Sequence, residues 1–148
     1  MQTSQAHNRI RIVDLDSTIS DDSWRLWLID PNLPDGTEKY HSYHIHCDGD
    51  SVMNRYIVDE SPCEVFLLTA RPEYTRQKTV DWLRDNDLRY TALMMRPNDS
   101  HISSVHLKRN WVEKLHRNWM FEFENGYDDR QDIVDMYNSY GIKGILVS

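Results

Sequence analysis

Residues Ile10 to Thr18 read Ile-Arg-Ile-Val-Asp-Leu-Asp-Ser-Thr, a β-type apolar run that ends in two aspartates one residue apart, followed by hydroxyls. Side chains at i and i+2 of a strand share a face, so Asp14 and Asp16 are expected to reach a common point beyond the strand end. Two carboxylates held that close repel each other unless a cation lies between them. The triplet points to cation-assisted phosphate chemistry, and taken alone it also fits a polar loop after an edge strand.

Working outward, the first strand is expected at Ile10–Leu15 and others at Glu64–Thr69, Tyr90–Met95, Met120–Tyr127 and Gly144–Val147. Helical patterns lie between them. One covers Pro72–Asn86, with Pro72 in the first turn and Val80, Trp82 and Leu83 as apolar positions. A second is capped by Ser103 or Ser104 and runs to about His116, with Trp111, Val112 and Leu115 as its apolar stripe. A third covers Arg130–Tyr140 and stops at Gly141. Strands alternating with helices predict βαβ units: an α/β, Rossmann-like architecture with a central, mostly parallel five-stranded sheet flanked by helices. Residues 19–61 break the rhythm. They hold a short apolar helix around Trp24–Ile29, then irregular chain with Pro31, Pro34, Gly36 and Gly49, and read as a small cap or loop insertion within a single domain spanning 1–148.

A chain of 148 residues is about one domain's worth. The longest apolar runs, such as Val65-Phe66-Leu67-Leu68, are too short to span a bilayer. The polar start, Met1 to Asn8, has no apolar core of a secretory signal. Cys47 and Cys63 form no CxxC pair, which removes a disulfide framework and a cysteine-based zinc site. A cytoplasmic location with reduced thiols is expected. The net charge of −7 argues against salt-driven, non-specific nucleic-acid binding. It leaves room for a local basic groove built from Arg71, Arg76, Lys78, Arg96, Lys108 and Arg109. Neither GxxxxGK[ST] nor GxGxxG occurs, so a phosphate-loop kinase and a dinucleotide site find no support.

Ligands of open α/β sheets bind beyond the carboxyl ends of the strands. There the sequence places Asp14-Leu15-Asp16, Thr69-Ala70-Arg71 and Asp128-Asp129, with Lys108 near the start of the helix before the fourth strand. Two acid pairs, a hydroxyl and an amine are the parts needed to hold a metal and a phosphoryl group. His41, His44, His46 and Cys47 are closely spaced, but an extended chain alternates their faces and no second ligand cluster follows, so zinc is not expected. Trp24, Trp27, Tyr40 and Tyr43 serve either as stacking surfaces for a nucleobase or as core.

In this order the residues resemble the haloacid dehalogenase superfamily of phosphatases. Asp14-Leu15-Asp16-Ser17-Thr18 resembles its first motif, Leu67-Leu68-Thr69 the second, Lys108 the third and Asp128-Asp129 the fourth. The likeness is strongest to the 3′-phosphatase domain of phage-type polynucleotide kinases. Leu68-Thr69-Ala70-Arg71-Pro72-Glu73, Leu93-Met94-Met95-Arg96-Pro97, the run around Lys108-Arg109 and Tyr127 to Tyr137 carry it. Ser17 stands where that family usually has glycine, which implies a slightly altered turn.

The resemblance implies a role for each residue. Asp14 attacks phosphorus to form an aspartyl-phosphate. Asp16 protonates the leaving oxygen, then takes a proton from water, with its backbone carbonyl on the metal. Thr69, with Ala70, binds the phosphoryl oxygens, and Lys108 offsets their charge. Asp129, and Asp128 through Lys108 or a metal-bound water, complete an oxygen-rich Mg²⁺ site with Asp14 and Asp16. Arg71, Arg96 and Arg109 are candidate substrate contacts. The expected function is a Mg²⁺-dependent phosphomonoesterase removing 3′-phosphates from nucleic-acid ends. The alternatives are a 5′(3′)-nucleotidase acting on free mononucleotides and a non-catalytic module akin to phospho-receivers. Receivers carry an adjacent acid pair after the first strand and the phosphoacceptor after the third, whereas here the spaced pair follows the first.

Overall fold

The computed structural model describes residues 9–118 and 121–148. In chain order the strands are β1 (Arg9–Val13), β2 (Ser20–Asp21), β3 (Ser51–Val52), β4 (Glu64–Pro72), β5 (Ala92–Arg96), β6 (Glu122–Asp128) and β7 (Lys143–Leu146). The helices are α1 (Thr37–Ile45), α2 (Tyr56–Asp59), α3 (Arg76–Asp85), α4 (Ser104–His116) and α5 (Gln131–Ser139). Five strands form one parallel sheet in the order β5-β4-β1-β6-β7, while β2 and β3 make a separate antiparallel pair.

The near-continuous apolar run of β1 follows from its central place, since a strand covered on both faces has no solvent side. Ile10, Ile12 and Val13 are fully buried. In β4, Val65 and Leu67 face a core that includes Trp82 and Leu83 of α3. Phe66 and Leu68 face the other layer, with Val112 and Leu115 of α4 and Ile133, Met136 and Tyr137 of α5. The period-two alternation of a strand thus supplies both layers.

From β1 the chain moves outward through β4 to β5, then crosses back to pair β6 on the other side of β1. The strand order reverses at the carboxyl end of β1, which is where such sheets bind ligands. Counted along the chain, the five strands run 3-2-1-4-5, the Rossmann sense, and not the 2-1-3-4-5 order of receiver domains.

Some details depart from expectation. The crossover helix starts at Arg76. Pro72 is instead the last residue of β4, extended at ψ 152° and paired with Arg96, and Glu73–Thr75 forms a 3-10 turn. Proline is tolerated there because β1, paired to β4 through Val13 and Leu67, has already ended, so no neighbour on that side needs its N–H. The apolar segment of the insertion is a 3-10 helix, Ser23–Leu28. Neither α1 nor the β2–β3 pair was anticipated: α1 buries only Tyr43, and each strand is two residues long. The expected start of the fourth strand at Met120 lies outside the described residues. Among the described residues, no helix is long and apolar enough to cross a membrane.

Gly126 of β6 accommodates the Tyr137 ring: a Cβ there would lie 2.6 Å from a ring carbon. Gly126→Ala is expected to destabilise the protein by about 1–3 kcal/mol, the usual cost of overpacking, read as a lower urea midpoint with unchanged slope.

Candidate active site

Immediately after β1, the Asp14 N–H donates to the Tyr127 carbonyl at 3.0 Å, which fixes its backbone against β6. The Asp14 carboxylate accepts one hydrogen bond from Thr18 Oγ1 at 2.9 Å and another from Lys108 Nζ at 2.8 Å. Lys108 Nζ also donates to Asp128 at 2.6 Å. The Ser103 hydroxyl, accepting from the His106 N–H, caps α4 one turn before Lys108, so the amine is carried by a helix whose start is fixed. The second oxygen of Asp128 accepts from the Arg130 N–H, holding the turn into α5.

Lys108 and Asp128 are essentially out of water. Burial disfavours the Lys108 charge, but the attraction of Asp128 and Asp14 outweighs it and raises the ammonium pKa. Burial, then the Asp128 charge, push Asp14 well above the usual carboxylate range against the pull of Lys108. Asp129 is raised for related reasons, burial first. One carboxylate oxygen from each of Asp14, Asp128 and Asp129 lies within 4.8 Å of the others. Three hard oxygen donors in that arrangement fit Mg²⁺, and a cation among them favours the charged form of all three.

Asp16 is turned into a different cluster. The N–H groups of Thr18, Ile19 and Ser20 all donate to the Leu15 carbonyl, closing a tight turn. Ser17 adopts the left-handed conformation at φ 65°, where a side chain costs about 1–2 kcal/mol. Its hydroxyl donates to Asp22 at 2.6 Å and its N–H to the Ser20 carbonyl, so serine keeps the turn that glycine would make. Beyond the strand end the i, i+2 rule no longer governs. The Asp16 carboxylate meets Arg71 at 2.8 Å and Arg25 at 2.7 Å, both fully buried. Arg25 continues to Asp50 through bonds of 2.8 and 2.7 Å. The Tyr43 ring lies under Arg25 at 4.1 Å, and its hydroxyl donates to Asp22. Burial opposes Asp16 ionisation, but the attraction and hydrogen bonds of Arg71, aided by Arg25, hold its pKa at about 2.

Both clusters open into one cavity of about 480 Å³. Asp14, Asp16, Thr69, Ala70, Lys108, Asp128 and Asp129 line it, together with Tyr40 and His44 of α1, Arg96, Asn98 and residues 100–104. The Thr69 hydroxyl accepts from the Arg71 N–H at 3.1 Å. Arg71 is not in the lining, because Asp16, Ser20 and Thr79 hold its guanidinium inside. Arg109 is not in it either, being the helix residue next to Lys108 and so rotated to another face. The Asp16 carboxylate, bound by arginines, stands apart from the Asp14, Asp128 and Asp129 oxygens.

The His41, His44, His46 and Cys47 side chains diverge. His41 meets Tyr74, His46 meets the Ser42 carbonyl, and Cys47 lies beside Thr79. His44 lines the cavity, and burial lowers its pKa to about 4. Of the four aromatics, Trp24 donates to Asp50, Trp27 is 78% exposed, Tyr43 packs on Arg25 and Tyr40 lines the cavity. Arg25 and Asp50 escaped the sequence reading. The one signal was a lone arginine inside the apolar segment Trp24-Arg25-Leu26-Trp27-Leu28.

No protein-family model and no curated protein matches this sequence. Solved structures do. A chain of the Pnkp1/Rnl/Hen1 RNA repair complex superposes with a TM-score of 0.69 at 20% identity over 95% of this chain and 42% of that one. A second structure of the complex gives 0.69 at 21%, over 95% and 45%. The haloacid dehalogenase-like hydrolase SP0104 of Streptococcus pneumoniae gives 0.62 at 12%, over 99% and 86%. The chain spans less than half the length of the RNA-repair-complex chains it matches. At these identities the likeness is one of fold: the chain has the haloacid dehalogenase fold.

Arg71→Met removes a buried partner of Asp16 and is expected to cost about 3 kcal/mol at neutral pH. The Asp16 pKa is lower folded than unfolded, so its contribution is complete above about pH 4 and is lost as pH falls toward 2. The difference between wild type and variant, measured by urea unfolding across that window, should narrow with acid.

Proposed function

We propose that the protein is a Mg²⁺-dependent phosphomonoesterase that works through an aspartyl-phosphate and removes 3′-phosphates from nucleic-acid ends. The observation that carries this reading is the Asp14 carboxylate at the carboxyl end of the central strand, bonded to buried Lys108 and within metal-ligand reach of Asp128 and Asp129. Asp14 attacks phosphorus as the bond to the leaving oxygen breaks, splitting one displacement into two easier ones. Lys108 offsets negative charge on the transferring group, with Thr69 and Ala70 as phosphoryl contacts. Asp16, ionised between Arg71 and Arg25, is suited to accept a proton from the water that hydrolyses the acyl-phosphate; to give the leaving oxygen a proton it must first take one up, against the pull of those arginines. Asp14, Asp128 and Asp129, with the Asp16 backbone carbonyl, would hold Mg²⁺, which would supply positive charge against the repulsion between carboxylate and phosphate.

For the substrate, support comes from the similarity to a chain of an RNA repair complex and from an open cavity at the strand ends. The 3-2-1-4-5 strand order weighs against a receiver-like module. Purified protein with Mg²⁺ should dephosphorylate a 3′-phosphorylated oligonucleotide in preference to nucleoside 5′-monophosphates and sugar phosphates. A preference for free 5′-mononucleotides would replace this reading with a nucleotidase. Asp14→Asn should lower kcat by roughly 1,000-fold or more in a protein that still folds cooperatively, since the amide cannot form the intermediate. Chelation should abolish turnover, and Mg²⁺ should restore it.

A further inference from the structure

Resting on the reading above, we propose that the cavity holds a second anion subsite at Arg96, which takes the phosphodiester on the far side of the terminal nucleotide.

Arg96 is the last residue of β5 and lines the cavity. Its guanidinium donates to the carbonyls of Ala70 (3.2 Å), Ile102 (2.6 Å) and Ser100 (3.4 Å) and to the Ser104 hydroxyl (3.4 Å). All four acceptors are neutral. The other strong cations of the region are matched: Lys108 by Asp14 and Asp128, Arg25 and Arg71 by Asp16, and Arg130 by Asp132. Among the described residues, Arg96 is therefore the lining cation without a carboxylate partner. It is half-buried, and a partly desolvated charge with no counter-ion is costly until an anion arrives. Burial accordingly lowers its pKa. Ser104, which it touches, opens the 13-residue helix α4, whose first turn adds partial positive charge beside it.

Position selects the anion. Arg96 stands two strands from Asp14 across β5, β4 and β1, about 10 Å at the usual strand spacing. A nucleotide whose 3′-phosphate meets Asp14 reaches toward Arg96 with its other phosphate. Tyr40 lines the same cavity, is near enough to act on the Arg96 charge and offers a ring for the intervening base. The two long bonds at 3.4 Å leave Nη2, and the Nη1 hydrogen not given to Ile102, able to turn to phosphate oxygens, which a guanidinium fork matches. A single local cation also reconciles nucleic-acid recognition with a net charge of −7.

The test compares two dinucleotides that both carry a 3′-phosphate, one with a natural internucleotide phosphodiester and one with a neutral methylphosphonate. Wild-type kcat/KM is expected to fall about 10-fold on the methylphosphonate, a loss set by one charge-assisted contact. Arg96→Gln should lose a similar factor on the natural substrate and no longer distinguish the two. Equal wild-type turnover of both substrates overturns the proposal, and this arm needs no variant to fold. Full discrimination retained by Arg96→Gln overturns it as well, because the contact then lies elsewhere. If wild type acts on other phosphomonoesters but on neither dinucleotide, it is the 3′-end reading that fails, and the subsite falls with it.

Discussion

The Lys108 ammonium, withdrawn from water between Asp14 and Asp128, is the interaction on which the working end of the molecule depends. It joins α4 to the residues that leave β1 and β6, the two strands flanking the point where the sheet order reverses. Stranding either carboxylate of such a buried pair costs about 3–5 kcal/mol. The ends of one helix and two strands are thereby held in register. With Asp129 nearby, three carboxylates gather around one ammonium, and the burial and mutual repulsion that raise Asp14 and Asp129 leave room for a further positive charge. Carboxylates grouped beside a fixed ammonium suit a divalent cation and a phosphoryl group together.

A second charge cluster ties the insertion to this end of the sheet. Arg25, Tyr43 and Asp50, all from residues 19–61, close around Asp16 and Arg71. Trp82 of α3 donates its indole N–H to the Asp50 carbonyl, so the same cluster is braced from the layer below. The wall carrying Tyr40 and His44 is therefore positioned by buried ion pairs, where apolar packing alone would leave α1, with Tyr43 as its buried residue, poorly anchored. Tyr43 serves both purposes, packing its ring on Arg25 and bonding Asp22 with its hydroxyl.

Periodicity made the sheet legible. Strands β1 and β4, and helices α4 and α5 with their Ser103 cap and the Gly141 stop at φ 76°, were readable because long apolar patterns and caps are local signals. Pro72 misled because its fixed φ suits a helix start and a strand end equally, and only the length of β1 decides between them. The insertion was opaque because what orders it is charge pairing across tens of residues, Arg25 with Asp50 and Asp16 with Arg71. At the candidate site, Asp14, Thr69, Lys108, Asp128 and Asp129 were placed together by the strand-end rule. The same rule said nothing of the turn at Ser17 that sends Asp16 to two arginines, nor of Arg71 being sealed beneath the floor.

The central claim is that Asp14 becomes covalently phosphorylated. Protein in molar excess over a 3′-phosphorylated oligonucleotide, with Mg²⁺, can be quenched in acid within a single turnover, digested, and the peptides weighed. The account predicts that the peptide Ile12–Arg25 gains the mass of one phosphoryl group and loses it when the quench is delayed. Rapid product formation with that peptide unmodified at every quench time would contradict it.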